Sequence, residues 1–380
     1  MSRDVESCSA GPASPILLTP GPLTTERETR QAMMRDWGSR DDAFIAMTQE
    51  LRQRLLALAG GQERHVAVPL QGSGTFIVEA TIGTLIGPED KLLILINGAY
   101  GDRMLSIALR LKRRVRVLRW TESQAIEPEQ VECALRDDPD ITHVALVHCE
   151  TTTGLLNPLE SIATIVANHG KALLVDAMSS FGALDIDVES MPITAVMASS
   201  NKCLEGVPGL GFAVIEERAL IAAEGTNPSL SFDLYEQWQG FERKGQWRFT
   251  PPVQVVAALL TALRLLDAEG GPAARRRRYQ ENFDILSEGM ERLGFHLFLE
   301  PRIQAPIIAT FFQPSDSWFH FPSFYRALAS RGFLIYPGKL SQADTFRIGC
   351  IGAIKSDDFR RLLDAIAAIT DEQKALVSDK

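Results

Sequence analysis

The feature that most constrains this chain is a pair of apolar runs, each closed by polar residues and followed by turn-forming sequence. Leu173-Leu174-Val175-Asp176 is an unbroken aliphatic run ending on a carboxylate, the pattern of a strand buried on both faces of a parallel sheet. Ile193 to Ala198 repeats it and leads through Ser199, Ser200 and Asn201 to Lys202. The Gly206-Val207-Pro208-Gly209 segment beyond cannot extend a helix, so Lys202 is expected on a turn past a strand end. Ligands in open α/β sheets sit at that edge. One reading of the lysine and the carboxylate is a structural ion pair or a solvated loop lysine. The other is a lysine that forms a Schiff base with an aldehyde cofactor, while Asp176 keeps the cofactor's ring nitrogen protonated.

The remaining segments fit an alternating pattern. A strand at Val66–Leu70 runs into Gln71-Gly72-Ser73-Gly74-Thr75 and an apolar helix over 76–86, the outline of an anion site at a helix N-terminus. It lacks the P-loop lysine and the full dinucleotide fingerprint. A tight turn explains the glycines equally well, but not the hydroxyls of Ser73 and Thr75. The strand Leu92–Ile96 ends in Asn97-Gly98-Ala99-Tyr100-Gly101, where the tyrosine either lies over a ring or is a core residue. The strand Val144–Val147 leads to His148-Cys149-Glu150-Thr151-Thr152-Thr153, hydroxyls that serve either a site or helix caps. Further strands are read at Val115–Leu118 and Phe212–Ile215, and helices at 25–34 and 45–59, with Thr24 or Thr25 as a cap and a loop over 36–44. At least six βα units predict an α/β domain with a mostly parallel sheet.

A long apolar helix over 253–266, closed by Glu269-Gly270-Gly271, reads as a hinge to a smaller α+β part with strands at Ile307–Phe312 and Thr345–Gly349. The expected division is an N-terminal leader and extended arm (1–22), a large domain (23–265) and a small C-terminal domain (266–380). The net charge of −9 argues against a general nucleic-acid binder, and Arg275 to Arg278 reads as a solvated helix face. No apolar stretch reaches membrane-spanning length and residues 1–15 lack a signal-peptide core, so a cytoplasmic protein is expected. Five cysteines (Cys8, Cys133, Cys149, Cys203 and Cys350) form no CxxC, and the six histidines show no ligand spacing. Neither a disulfide framework nor a metal site is indicated.

In order along the chain stand LLTPGPLTT (17–25), DWGSRDDAF (36–44), LQGSGTF (70–76), NGAYGDRM (97–104), HCETTTGLLNP (148–158), VDAMSSFG (175–182), SSNKCLEGVPG (199–209), WRFTPP (247–252) and YPGKLSQADTFRIG (336–349). By these motifs the chain resembles the class V aminotransferases of fold type I, from Leu17 to about residue 370. Within that class it is similar to the branch that moves the amino group of 2-aminoethylphosphonate to pyruvate. An alanine–glyoxylate or serine–pyruvate type is the alternative.

The resemblance implies pyridoxal 5′-phosphate as cofactor, with Lys202 as its covalent attachment and the general acid–base. Asp176 would pair with the ring nitrogen, Tyr100 and Met178 would pack on the two ring faces, and Thr151 or Thr153 would meet the 3′-oxygen. Ser73, Gly74, Thr75 and Asn201 would cradle the phosphate. Thr250 would reach the phosphate of the neighbouring subunit in a homodimer with shared sites. Arg347 would grip the substrate's acid group, although bare sequence makes it a surface arginine. The chain departs from several members at Arg40, where they carry an aromatic residue; a cation there either adds a phosphonate contact or faces solvent.

Overall fold

The computed structural model describes residues 14–338 and 343–378. Residues 1–13 of the leader and arm expected at the N-terminus lie outside the described residues, as do residues 339–342 of the last motif. The central sheet has seven strands: β1 (His65–Gln71), β2 (Lys91–Ile96), β3 (Arg114–Arg119), β4 (His143–Val147), β5 (Ala172–Asp176), β6 (Ala195–Ser199) and β7 (Leu210–Glu216). Their order across the sheet is β1-β7-β6-β5-β4-β2-β3. Only β7 is antiparallel to its neighbours; the other pairs are parallel. Pro69, which cannot donate to a ladder, sits on the edge strand β1.

The unbroken apolar runs have a physical cause. Leu173 and Val175 pack into one core layer, whereas Leu174 packs into the other. Successive side chains point to opposite faces, and here both faces are covered, so neither parity needs polar residues. Asp176 takes the parity of Leu174. It falls on the face shared with Val78, Met104 and Met178.

Three helices matter for the site: α1 (Asp42–Leu58), α2 (Gly74–Leu85) and α3 (Ala99–Arg110). The last two start at the C-terminal ends of β1 and β2. The helix expected over 25–34 is a short helix, Arg27–Gln31, running into a 3-10 turn, Ala32–Met34. Neither expected threonine caps it; Thr24 Oγ1 instead accepts the Leu17 N–H at 2.8 Å. Helix α1 begins inside the loop expected over 36–44.

The C-terminal part carries a three-stranded antiparallel sheet of β8 (Ile308–Phe312), β9 (Tyr336–Pro337) and β10 (Thr345–Gly349), in the order β8-β10-β9. The N-terminal segment is stitched to this region. Ile16–Leu17 pairs in parallel with Phe333–Leu334, and Leu18 O accepts the Gly349 N–H at 2.9 Å. The apolar helix α4 (Val253–Glu269) and its successor α5 (Gly271–Arg292) meet at Gly270, whose φ of 106° suits only glycine. The boundary expected at 265/266 thus falls within α4, and the chain turns five residues later.

One expectation is overturned on α5. Arg275 is 2 % exposed and Arg278 is largely buried, not a solvated face. Arg275 donates to Cys203 O at 2.8 Å and to Glu269. Arg278 bridges Glu205 and Glu269, both at 2.8 Å, and Tyr279 Oη donates to Glu205 at 2.6 Å. A run of four arginines shows no helical phase by composition, so only the packed neighbours reveal which of them turn inward.

Candidate active site

The chain reverses its direction of travel across the sheet between β2 and β4, since β3 lies on one side and β5, β6 and β7 on the other. The crevice at such a switch point is where ligands bind in sheets of this kind. A cavity of about 190 Å³ lies there, lined by Ser73, Gly74, Thr75, Val78, Tyr100, Arg103, Met104, Thr151, Asp176, Met178, Ser199, Asn201 and Lys202. These residues follow or end β1, β2, β4, β5 and β6. A larger cavity of about 520 Å³ opens at the opposite edge, beside Arg64, Lys171, Glu216 and Arg218. Its charges are spent locally, Glu216 on Arg218 at 2.6 Å and Lys171 on Pro139 O at 2.8 Å, so the smaller cavity is the candidate.

Asp176 is held between Val147 and Met197 in the ladder, and its Oδ1 accepts the Met178 N–H at 3.0 Å. Burial pushes its pKa up to about 6, against the pull of that N–H and of the cations Arg103 and Lys202. Lys202 Nζ donates to Pro20 O at 2.5 Å. The N-terminal segment therefore closes over the lysine, and a Cβ added at Gly21 would stand 2.7 Å from Nζ. Tyr100 is half-buried on the first turn of α3.

The first turn of α2 fits a phosphate. Ser73 occupies the N-cap position without making a side-chain cap bond, so its hydroxyl is not spent on the helix. The early N–H groups of such a turn have no intrahelical acceptor. A Cβ at Gly74 would come within 2.7 Å of Met178 Sδ, so a larger residue would close the cradle. A carboxyl that burial holds partly protonated is suited to a cationic ring nitrogen, which restores its charge. The residues present thus match a phosphorylated, aldehyde-bearing pyridine.

Of the two threonines expected near the 3′-oxygen, the structure brings in only Thr151, whose Oγ1 shares a 2.6 Å hydrogen bond with Ser179 Oγ. Thr153 is a correction: it does not line the cavity, and its Oγ1 accepts the Leu155 N–H at 3.2 Å, closing the turn. Thr250 is exposed and outside this cavity. It lines a separate one of about 330 Å³ with Ser39, Arg40 and Arg248. Arg347 is not the surface arginine of bare sequence but only 3 % exposed. It donates to Thr151 O at 3.2 Å and Pro337 O at 3.1 Å, and among the described residues no carboxylate lies within 4 Å of it.

Two residues escaped sequence reasoning. Arg103 lies one helical turn from Tyr100, a spacing that could have signalled it. Glu150 is fully buried behind Tyr100, accepting the Thr152 hydroxyl at 2.9 Å and the Tyr100 N–H at 3.3 Å. Burial raises its pKa to about 7. Its place beside three threonines gave no hint of this.

The fold and the site define a pyridoxal-phosphate enzyme of the aminotransferase type. The chain belongs to the class-V aminotransferases, whose family model matches residues 27–331, and pyridoxal 5′-phosphate is its cofactor. It is 53% identical over 364 residues to 2-aminoethylphosphonate–pyruvate transaminase 2 of Burkholderia lata, covering 96% of each chain. It is 51% identical to 2-aminoethylphosphonate–pyruvate transaminase of Pseudomonas aeruginosa, covering 97% of this chain and 99% of that one. Among solved structures it is similar to alanine–glyoxylate aminotransferase from Nostoc sp., with a TM-score of 0.88 at 26% identity and coverage of 96% and 97%. Pyridoxamine–pyruvate aminotransferase from Mesorhizobium loti gives 0.87 at 26% identity, with 95% and 93% covered. Among the described residues no helix is long and apolar enough to cross a membrane, and no group of side chains forms a metal site.

Proposed function

We propose that this aminotransferase takes the amino group from 2-aminoethylphosphonate and gives it to pyruvate, releasing phosphonoacetaldehyde and L-alanine, in phosphonate degradation. The observation that carries the reading is identity of about half, over nearly the full length, to transaminases named for that donor and acceptor. The reading also places the protein in the cytoplasm, as a homodimer without nucleic-acid partners. The large domain, up to the end of α4 at Glu269, holds the cofactor, and the small domain beyond Gly270 presents Arg347.

When bound, the cofactor supplies an aldehyde that accepts the amine and a ring that takes up electrons from the substrate carbon. Lys202 would hold the cofactor through its Nζ, and the same amine would carry the proton to and from the reacting carbon. The Pro20 carbonyl, already in contact with Nζ, gives the released amine a fixed resting position. Asp176 keeps the ring nitrogen cationic. Ser73, Gly74, Thr75 and Asn201 hold the phosphate, joined by Thr250 of the partner subunit. Tyr100 and Met178 confine the ring, and Thr151 meets its 3′-oxygen. Arg347, buried and without a carboxylate partner among the described residues, fixes the acid group of each substrate in turn; its guanidinium fork suits carboxylate and phosphonate alike.

Initial rates with pyruvate as acceptor test the reading. 2-Aminoethylphosphonate should exceed serine and alanine as donor by orders of magnitude. A preference for serine or alanine would instead make this a serine–pyruvate or alanine–glyoxylate type.

A further inference from the structure

Arg103 lines the cavity beside Tyr100, yet none of the roles above uses it. Three observations define its position. Its guanidinium carbon lies 4.7 Å above the Tyr100 ring. Its Nη1 donates to Thr75 Oγ1 at 3.1 Å, which draws the side chain toward the first turn of α2. No carboxylate lies within 4 Å of it among the described residues, and the neighbouring Asp102 is engaged with Arg119 at 2.7 Å. Arg103 is otherwise exposed, so a long and costly-to-order side chain is held at the cavity mouth by a hydroxyl and a ring face, within electrostatic reach of Asp176.

The phosphate cradle explains what the cation would meet there. Ser73, Gly74, Thr75 and Asn201 offer hydroxyls, an amide and backbone N–H groups, but no formal charge. A phosphate carries close to two negative charges, and a helix terminus offsets only about half of one. Lys202 is committed to the reacting end of the cofactor. Arg103 is the cation already bonded to the cradle.

We propose that Arg103 is a cofactor-binding residue whose guanidinium pairs with the phosphate of pyridoxal phosphate from the α3 side, across Thr75, while its stacking on Tyr100 sets the plane of that ring. Planar guanidinium and tetrahedral phosphate form charge-assisted, often bidentate hydrogen bonds. The choice of cofactor phosphate over the phosphonate of a substrate rests on the Thr75 contact, which ties the cation to the helix start. The inference depends on the cofactor and not on the identity of the amino donor, so an enzyme that preferred serine would leave it standing.

Titration of the full-length apo-protein with pyridoxal 5′-phosphate and, in parallel, with pyridoxal tests it, read by absorbance of the bound aldehyde and by quenching of tryptophan fluorescence. Pyridoxal keeps the ring and aldehyde but has no phosphate. Arg103→Gln should weaken pyridoxal phosphate roughly 10- to 100-fold, the worth of a charge-assisted bond, and leave pyridoxal within about twofold. Arg103→Lys should recover part of the loss, and it carries the same comparison if the glutamine variant fails to fold. Equal weakening of both ligands would overturn the proposal, leaving Arg103 only a support for Tyr100. Unchanged affinity for both would make it a solvated arginine. Unchanged cofactor affinity with a raised KM for 2-aminoethylphosphonate would move the cation to the substrate.

Discussion

Replacing Glu150 by glutamine isolates the cost of one buried carboxyl behind the cofactor cavity. The side chain is fully buried, and its pKa stands near 7 where an ordinary glutamate has about 4.5. Below about pH 4.5 it is protonated in the folded and the unfolded chain alike and makes no difference between them. Between about pH 4.5 and 7 the unfolded chain releases the proton while the folded chain keeps it, so stability falls as pH rises. Above about pH 7 both forms are ionised and the whole penalty is present. Two and a half units at 1.36 kcal/mol each amount to about 3 kcal/mol. With an unfolding entropy of about 2.1 cal/mol/K per residue, that is about 4 °C in Tm for a chain of this length.

Glutamine does not titrate, so the variant escapes the slope. It loses one acceptor to the Thr152 and Tyr100 donors, a constant cost of about 1–3 kcal/mol. In apo-protein, the variant's Tm should therefore lie below that of the parent at pH 5, where a small part of the penalty is already present, and gain about 3 °C on it by pH 8. Scanning calorimetry at matched ionic strength measures the difference. A Tm gap that stays constant over that range would mean Glu150 ionises normally, and the account of its burial would be wrong.

Lys202→Ala should abolish transamination and covalent cofactor retention while the lost bond to Pro20 costs about 0.5–1.5 kcal/mol of stability; measurable turnover in a folded variant would remove Lys202 from its role. Asp176→Asn should lower kcat about 10- to 1000-fold, since an opposite charge paired with the ring nitrogen is worth one to three pKa units on it. Near-normal turnover would refute that pairing. Thr250→Ala should weaken cofactor retention about tenfold, for one lost bond to a charged group, with little change in the stability of the isolated chain. An active monomer in sedimentation would contradict shared sites.

The sheet was legible because β2, β4, β5 and β6 are buried on both faces and leave continuous apolar runs. Lys202 and Asp176 were legible as strand-end residues for the same reason. What failed to show was anything decided by tertiary contact. Thr151 and Thr153 are two apart on one short turn; only the Leu155 N–H, reaching back to Thr153, separates the residue that lines the cavity from the one that closes the turn. Arg347 carries no sequence mark of its burial, since a single arginine in a strand has the same composition whether it faces solvent or a site. Thr24 had the composition of a helix cap, but the strand beside it claimed its hydroxyl.

The arginine run on α5 shows how far such contacts extend. The turn that presents Lys202 continues through Cys203 to Glu205, which adopts a φ of 56°, a region unfavourable for a residue with a Cβ. A conformation of that kind persists when its surroundings over-determine it. Here Arg278 and Tyr279 both hold the Glu205 carboxylate, and Arg275 holds the carbonyl of Cys203. Charges buried this deeply contribute little net stability once desolvation is counted, so their effect lies in fixing one geometry. The lysine is therefore held from two directions, by the Pro20 carbonyl of the N-terminal segment and by a helix that follows it by some seventy residues. Both supports come from parts of the chain stitched to the small sheet that carries Arg347, and the Lys202 amine and the Arg347 guanidinium accordingly share one frame.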